Sequence, residues 1–346
     1  MKPKLSDYDF DFPPELIAQH SAGKGKSRIL QVSLKSDALK EIKAQNIVGL
    51  LKKGDCLVVN NTKVISARLK GKRSTGGVVE VLLLQALASG NTWQTMVKPG
   101  RAFKKGDEID FQGVKAQVLE VNADGTRNLQ FEIDENKFLP WLEKVGHTPL
   151  PPYIDRQEEL ADKEDYQAIF AKKSGAVAAP TASLHFNDEI LNQLRAKGVQ
   201  VAELTLHVGA GTFQNIKYED YTQHSMHSEY YEISAENSEI INRAQKNGQR
   251  VLCVGTTVAR VLETVADDSG IVHAGQGFTN KFIYPGYEWK FVRNLMTNFH
   301  WPRSSLILLV AALIGKSKLL GAYDYAVKNG FKLFSYGDGM LFFCDF

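Results

Sequence analysis

Two stretches of the sequence combine small residues with one imidazole at the end of an apolar, strand-like run. Residues 175–186 contain His185, and residues 204–213 contain His207 followed by Val-Gly-Ala-Gly. A core strand needs neither a histidine at its end nor glycines after it, whereas a small-molecule pocket at the carboxyl edge of a sheet needs both. We therefore predict a ligand site at such an edge, with both imidazoles as candidate acid/base groups.

Two more histidines stand among polar residues. His227 precedes Glu229 by two positions, so the pair would share one face of a strand and could serve as an acid/base pair or hold a metal. His300 follows Thr-Asn-Phe. We predict no metal site, because the sequence has no helix-spaced histidine pair and its three cysteines are far apart. A hydrogen-bonded structural role is the alternative for each imidazole.

Turns rich in glycine or hydroxyl groups follow two predicted strands. Gly209 and Gly211 would let the backbone approach a ligand closely, although the third glycine of nucleotide-binding turns is missing. The turn into Thr256 and Thr257 could bind an anionic or hydroxyl-rich group, or could simply cap a helix. Asp338 is either a carboxylate at the same sheet edge or part of a tight turn.

The elements that would position these groups alternate between strand and helix outside one insertion. Residues 63–149 lack a helical period and contain five or six short β-like runs separated by glycine turns, which is typical of a small closed barrel. Residues 1–62 and 150–346 alternate strands with helices, including a helix over 37–51 and a strand pair over 331–342. The sequence thus predicts an α/β main domain with an inserted small all-β barrel domain.

Capping residues predict where helices begin. Asn187 and Ser234 carry the side-chain oxygen that an N-cap needs, and a third helix is expected over 304–314. The longest apolar run, 306–314, is far below the roughly 20 residues of a membrane span, so we predict a buried helix and no membrane association. With no apolar N-terminal signal and no disulfide framework, a cytoplasmic location is expected.

Basic residues concentrate in the insertion. Residues 63–144 hold 13 Lys/Arg against 10 Asp/Glu, while the rest of the chain is balanced at 29 against 29. Scattered lysines are common on surfaces, so this face is either simply solvated or built to contact a polyanion. The candidates for polyanion contact are Lys63, Arg68, Lys70, Lys72, Arg73, Lys98 and Arg101.

Uncommon strings of residues extend along nearly the whole chain. They include Pro149-Leu-Pro-Pro-Tyr-Ile-Asp-Arg156, Met226-His-Ser-Glu229 and Thr297-Asn-Phe-His300, together with residues 8–10, 59–69, 76–83, 97–101, 165–167, 175–186, 205–213, 255–257, 282–287 and 335–338. In type and order they resemble the S-adenosylmethionine:tRNA ribosyltransferase-isomerases of queuosine biosynthesis. Ser183, Trp301 and Lys332 stand where that family usually has glycine, leucine and arginine.

This resemblance implies a reaction and its substrates. Such enzymes transfer the ribosyl part of S-adenosylmethionine onto 7-aminomethyl-7-deazaguanine at the tRNA wobble position and isomerise it, giving epoxyqueuosine, adenine and methionine. The resemblance further implies S-adenosylmethionine as a co-substrate, no permanently bound cofactor and no metal. We expect a monomer. The chemistry needs a base beside the sulfonium, an acid for adenine departure and polar groups around the ribose.

The same resemblance distributes roles among the candidate residues. His185 or His207 would be the base, and His227, Glu229 and Asp338 would be the acid or orienting partners. The residues expected to line the S-adenosylmethionine pocket are Thr181, Gly209, Gly211, Thr256 and Thr257. The basic residues of the insertion would meet tRNA phosphates.

Two other functions remain open at this stage. A tRNA methyltransferase would use the glycine turn and leave S-adenosylhomocysteine, but the incomplete glycine pattern argues against it. A non-catalytic tRNA-binding protein would need the basic insertion but not the polar sheet edge.

Overall fold

The computed structural model describes residues 3–87, 90–209 and 216–343. Its strands are β1 Arg28–Ser33, β2 Leu39–Lys43, β3 Cys56–Asn60, β4 Thr62–Val64, β5 Arg68–Arg73, β6 Val78–Ala86, β7 Thr92–Lys98, β8 Glu108–Phe111, β9 Val114–Val121, β10 Arg127–Phe131, β11 Lys173–Ala176, β12 Gln200–Leu206, β13 Glu229–Ile233, β14 Val251–Val254, β15 Gly275–Thr279, β16 Asn294–Asn298 and β17 Gly339–Phe343. Its α-helices are α1 Ile47–Leu50, α2 Glu135–Val145, α3 Asp162–Asp165, α4 Asp188–Ala196, α5 Ala235–Lys246, α6 Thr256–Val265, α7 Ser305–Ile314 and α8 Lys316–Lys328.

A nine-stranded sheet forms the centre of the main domain. Its strand order is β15-β13-β12-β3-β14-β16-β17-β1-β2, and β12, β3, β14 and β16 run parallel to one another. Strands β3, β14 and β16 are buried along their whole length, as expected when parallel strands are covered on both faces. Because the four strands point the same way, their carboxyl ends meet at one end of the sheet, where open α/β sheets bind ligands.

Three helices of the main domain begin after capping side chains, two of which, Asn187 and Ser234, were predicted. The side chains of Asn187, Ser234 and Ser304 each accept a hydrogen bond from the backbone amide three residues later. These bonds satisfy amides that the first turn of a helix leaves unpaired, which fixes the starts of α4, α5 and α7. Helix α7 is apolar and mostly buried, in agreement with the sequence.

The insertion forms a closed six-stranded barrel. Its order is β10-β7-β6-β5-β8-β9, with every neighbouring pair antiparallel. Aromatic rings fill the interior, where Phe131 packs against Phe138 of α2 at a centroid distance of 5.1 Å. The predicted fold class, an α/β domain with an inserted β-barrel, is confirmed; the exact boundaries at residues 63 and 149 stay a prediction.

The prediction of a helix over 37–51 is wrong for the first half of that segment. Strand β2 pairs antiparallel with β1 over Leu39–Lys43, and only Ile47–Leu50 is α-helical. The spacing of Leu39 and Ile42 fits a helical period locally, but the available hydrogen bonds of β1 draw this segment into the sheet edge. Tertiary pairing therefore overrides the local pattern.

The prediction of a strand pair over 331–342 is also wrong, because the only strand in this segment is β17. The preceding loop is held by Asp338, whose carboxylate accepts hydrogen bonds from the amides of Arg28 and Lys332, each at 2.8 Å. Phe334 within the loop has φ of 70°, which lies outside the strand region.

In the described part of the chain, no single helix is long and apolar enough to cross a membrane. The α7–α8 pair meets the length and composition criteria only when its two helices, bent by 114°, are taken together.

Candidate functional site

Polar side chains follow the carboxyl ends of the four parallel strands. Strand β3 ends at Asn60 and leads into Thr62, and β12 is followed by His207. Strand β14 leads through Gly255 into α6, and β16 is followed by His300. The strand–turn–helix order of the sequence thus brings the predicted site residues to one end of the sheet.

A cavity of about 320 Å³, the first cavity, opens at this end of the sheet. Its polar lining includes Thr181, Thr256, Thr257 and Asn298. The start of α6 lies at this cavity, and the unpaired amides of a helix N-terminus favour anionic or oxygen-rich groups. Three of the predicted cofactor-binding residues therefore lie together.

Aromatic rings form much of the apolar wall of the first cavity. The rings of Tyr153 and Trp301 stack with their centroids 5.7 Å apart and an interplanar angle of 11°. Phe334 packs against Trp301 at 4.7 Å. A cavity with this mixture of aromatic surface and a few polar groups suits a small organic ligand.

A second cavity, of about 430 Å³, lies between the barrel and the main domain. The barrel contributes Trp93, Asp124 and Glu135, among others. The main domain contributes four predicted site residues, namely His207, Gly209, His227 and Glu229. Val208 lines the first cavity while its two chain neighbours line the second, so the predicted single site is in fact two adjoining cavities.

The His207 imidazole is fixed on three sides. Its Nδ1 lies 2.8 Å from the Oγ1 of Thr62, and its ring stacks on Tyr230 at 5.7 Å. A Cβ on Gly175, which has φ of 151°, would come within 2.8 Å of Nε2, so only glycine leaves room for this ring. Burial lowers the pKa of His207, and the nearby Lys173 ammonium lowers it further.

Glu229 is an anchoring carboxylate as well as a cavity residue. One of its oxygens accepts a hydrogen bond from the amide of Gly209 at 2.8 Å, and the other pairs with the buried guanidinium of Arg260. Arg260 also donates from Nε to the carbonyl of Lys281 at 3.1 Å. The sequence left two roles open for Glu229, acid or orienting partner, and this geometry suits the orienting partner.

His185 lies beneath the floor of the first cavity and lines neither cavity. Its Nε2 is 3.2 Å from the Oδ1 of Asn298, and a Cβ on Gly339 would come within 2.9 Å of the same nitrogen. Burial lowers its pKa from the ordinary 6.5 to about 4. His185 therefore contacts the site through Asn298, which does line the cavity.

His300 does line the first cavity. Its Nε2 is 2.9 Å from the Oγ1 of Thr297, and burial lowers its pKa to about 3. The ring is therefore neutral at pH 7.

Asp338 holds the loop before β17, as described above, and lines neither cavity. Burial raises the pKa of this carboxyl. Its predicted part in the chemistry stays a prediction, and Gly211 lies outside the described residues. Those residues contain no group of three or more His, Cys, Asp or Glu placed to hold a metal ion.

The predicted basic residues fall into two groups. Lys70 and Lys98 lie on the outer barrel surface, where both pair across strands with Glu80, and Lys72 and Arg101 are likewise exposed. The others are engaged: Lys63 pairs with Glu143 at 3.2 Å, Arg73 with Asp107 at 3.6 Å, and Arg68 donates to the carbonyl of Leu150 at 2.9 Å.

Comparison with known proteins places the chain in a family. The family model described as queuosine biosynthesis protein matches residues 5–342. The chain belongs to this family.

Two curated relatives of this chain are named S-adenosylmethionine:tRNA ribosyltransferase-isomerase. The one from Natranaerobius thermophilus is 44% identical over 341 residues, covering 97% of this chain and 98% of the relative. The one from Acetivibrio thermocellus is 45% identical over 341 residues, covering 97% and 99%. A crystal structure of S-adenosylmethionine tRNA ribosyltransferase from Thermotoga maritima is 33% identical and matches with a TM-score of 0.56 over 98% of this chain and all of that one.

The three departures from the usual family strings have different surroundings. Ser183 sits in a buried 3-10 helix and has an ordinary negative φ, so its Cβ causes no backbone strain. Trp301 supplies part of the aromatic wall of the first cavity. Lys332 donates from Nζ to the carbonyl of Glu15 at 2.8 Å, one bond where an arginine fork could make two.

Some site residues of this family member carried no prediction from sequence. Asn60 donates a hydrogen bond to the carbonyl of Leu206, and Thr62 contacts His207. Asn298 links His185 to the first cavity. Arg260 neutralises Glu229. The signal was available for the first two, since consecutive Asn-Asn-Thr directly after an apolar strand is unusual for a simple turn. Nothing local marks Arg260, which lies in the middle of a helix.

The depressed pKa of His185 predicts how stability depends on pH. The unfolded chain takes up a proton near pH 6.5 while the folded chain resists it until about pH 4, so the free energy of unfolding should fall as the pH is lowered across this interval. One such imidazole contributes a slope approaching about 1.4 kcal/mol per pH unit. Urea unfolding at several pH values should show a shallower fall in His185→Gln than in the parent, and equal slopes would contradict the assignment.

Proposed function

We propose that this chain is an S-adenosylmethionine:tRNA ribosyltransferase-isomerase. It would transfer the ribosyl moiety of S-adenosylmethionine to 7-aminomethyl-7-deazaguanine at the tRNA wobble position, release adenine and methionine, and isomerise the product to epoxyqueuosine. The observation that carries the proposal is full-length identity of about 45% to relatives with that name. The two adjoining cavities are consistent with a reaction between two substrates.

The first cavity is the proposed site of S-adenosylmethionine. Hydroxyl and amide groups of Thr181, Thr256 and Asn298 can hold the ribose hydroxyls or the adenine edge. The stacked rings of Tyr153 and Trp301 offer π faces, which attract a sulfonium cation and pack against a planar base. We expect this molecule to be a co-substrate and no other cofactor to be bound permanently.

His207 is the proposed base. Burial keeps its imidazole neutral at pH 7, so a ring nitrogen is available to accept a proton. If Nδ1 donates its hydrogen to Thr62, the free electron pair is on Nε2, which lies beside Gly175. His185 would then position Asn298, while Glu229 and Arg260 hold the backbone after His207.

The test of the activity is identification of the products. The protein should be incubated with S-adenosylmethionine and tRNA carrying 7-aminomethyl-7-deazaguanine, and the nucleosides and small molecules identified by mass. Free adenine, free methionine and epoxyqueuosine support the proposal. S-adenosylhomocysteine would identify a methyltransferase, and tRNA binding without any S-adenosylmethionine turnover would identify a binding protein.

Two substitutions test the role of His207. His207→Gln should lower kcat by about 100-fold or more, because general-base catalysis contributes about 10²–10⁴. Gly175→Ala should also lower kcat, because the new methyl group displaces the imidazole, while the KM for S-adenosylmethionine changes less. Gly321→Ala, where an added Cβ has no neighbour within 4 Å apart from the adjacent backbone of its own helix, is the matched control. A kcat within about tenfold of the parent in His207→Gln would remove it as the base.

The exposed lysines of the barrel are proposed to contact tRNA phosphates. The double variant Lys70→Glu and Lys98→Glu should raise the KM for tRNA and reduce the log–log salt dependence of binding by about 1 for each lost contact, leaving the KM for S-adenosylmethionine unchanged. A control with the same charge change, Lys40→Glu and Lys246→Glu, alters exposed lysines of the main domain. An unchanged KM for tRNA in the barrel variant would show that Lys70 and Lys98 do not contact tRNA.

The expected monomeric state and cytoplasmic location of the enzyme remain predictions. Elution of the purified protein as a dimer or larger assembly in light-scattering chromatography would contradict the first.

A further inference from the structure

A row of aromatic rings runs from solvent to the His207 imidazole along one wall of the second cavity. Phe278 and Tyr230 are directly paired across β15 and β13, with ring centroids 5.8 Å apart, and Tyr230 stacks on His207. All three line the cavity. Phe278 is 61% exposed, and no described core explains an aromatic ring left in water at this position.

Exposed aromatic rings beside a cavity are the usual platform for an unstacked nucleobase. Stacking on them is tolerant of sequence and requires only a planar ring. The facing wall is supplied by the barrel, including Trp93 and Leu139. A base that left its neighbours in the tRNA could therefore enter between the two domains and approach His207.

The barrel wall also presents a fixed carboxylate. Asp124 accepts hydrogen bonds at Oδ1 from the backbone amide of Thr126 at 2.9 Å and from its hydroxyl at 2.7 Å. The Thr126 hydroxyl is itself held by Gln94 at 2.9 Å and Asn122 at 2.8 Å, so the turn is braced against the barrel. The Thr126 hydroxyl bond is the main cause that holds the pKa of Asp124 below its usual range, and His227 on the opposite wall acts in the same direction.

The carboxylates in the second cavity argue against binding of a tRNA phosphate there. On the main-domain wall the acid is Glu229, and Arg260 neutralises it. On the wall of the inserted domain, the side chain of Glu135 in α2 has no hydrogen-bond or ion-pair partner among residues 3–87, 90–209 and 216–343. Carboxylates repel the tRNA backbone, so they favour binding only if the group that enters the cavity is a cation.

We propose that the second cavity binds the wobble base itself, with its ring on the Phe278–Tyr230 row and its aminomethyl ammonium group at Asp124. This assignment rests on the proposed function and names the subsite that selects the substrate base. The amine of 7-aminomethyl-7-deazaguanine is cationic at neutral pH, whereas the guanine of unmodified tRNA lacks it. Asp124 thus makes the barrel part of substrate selection as well as part of the tRNA surface.

The test compares two tRNAs that differ only at the wobble base, one with 7-aminomethyl-7-deazaguanine and one with guanine. Dissociation constants for the intact protein are measured by fluorescence anisotropy without S-adenosylmethionine. The parent should prefer the amine-bearing tRNA by about tenfold or more, the strength typical of a hydrogen bond to a charged group. Asp124→Asn should bring this ratio close to one while leaving the affinity for guanine tRNA nearly unchanged.

Two further variants separate stacking from charge. Phe278→Ala should weaken binding of both tRNAs by about fivefold or more and keep their ratio, because stacking does not depend on the amine. Glu132→Gln, an exposed acid of the same barrel outside the cavity, should match the parent in both measurements.

The proposal is overturned if the parent binds both tRNAs equally or if Asp124→Asn retains the preference. Adenine release by the parent enzyme is assayed in parallel. If the parent releases adenine but Asp124→Asn keeps the parent's ratio of dissociation constants for the two tRNAs, the subsite is refuted and the proposed activity is retained. Absence of adenine release would refute the activity itself.

Discussion

The buried side chain of Asn60 at the end of β3 is the interaction on which the arrangement of the site depends. Its amide nitrogen donates to the carbonyl of Leu206 at 3.0 Å and to the hydroxyl of Thr257 at 3.3 Å. Its oxygen accepts from the amides of Leu206 and Thr62, each at 3.1 Å. One fully buried amide thereby joins the ends of two strands and the first turn of α6. An unpaired polar group in this buried position would cost about 1–3 kcal/mol, so these bonds stabilise the junction.

The consequences of this junction extend to both cavities. Thr257 belongs to the first cavity, whereas Thr62 holds the imidazole of His207 in the second. Strand β4, which begins at Thr62, pairs with β11 and places Gly175 against that imidazole. The same short segment then enters the barrel at β5. The α/β domain therefore holds its half of the site through its own contacts, and the barrel adds the wall that carries Asp124.

Local patterns in the sequence were sufficient for the fold class and for the position of several candidate residues at one end of the sheet. The glycine turns and alternating runs of the insertion predicted the barrel, and the capping side chains of Asn187 and Ser234 predicted two helix starts. The position of His207 after a strand predicted its place at the sheet end. These features depend on neighbours within a few residues, which a single sequence displays directly.

Features that depend on contacts between residues far apart in the chain could not be predicted from local sequence patterns. His185 was expected at the site, but its contacts with Asn298 and Gly339 place it under the cavity floor, and no local signal distinguishes a floor from a wall. Strand β2 was mistaken for a helix because its pairing with β1 is tertiary. Asp124 was not a candidate at all, since it lines the same cavity as His227 only because the barrel packs against the main domain.

In the proposed reaction, each of the two adjoining cavities holds one substrate, and the cavities meet at residues 207–209. The most direct measurement is a structure of the His207→Gln protein with S-adenosylmethionine and tRNA carrying 7-aminomethyl-7-deazaguanine. We expect S-adenosylmethionine against Thr256 and Asn298, the base against Tyr230 and Phe278, and residue 207 beside both ligands. Density for both ligands in one cavity, or for the base outside the space between barrel and main domain, would contradict it.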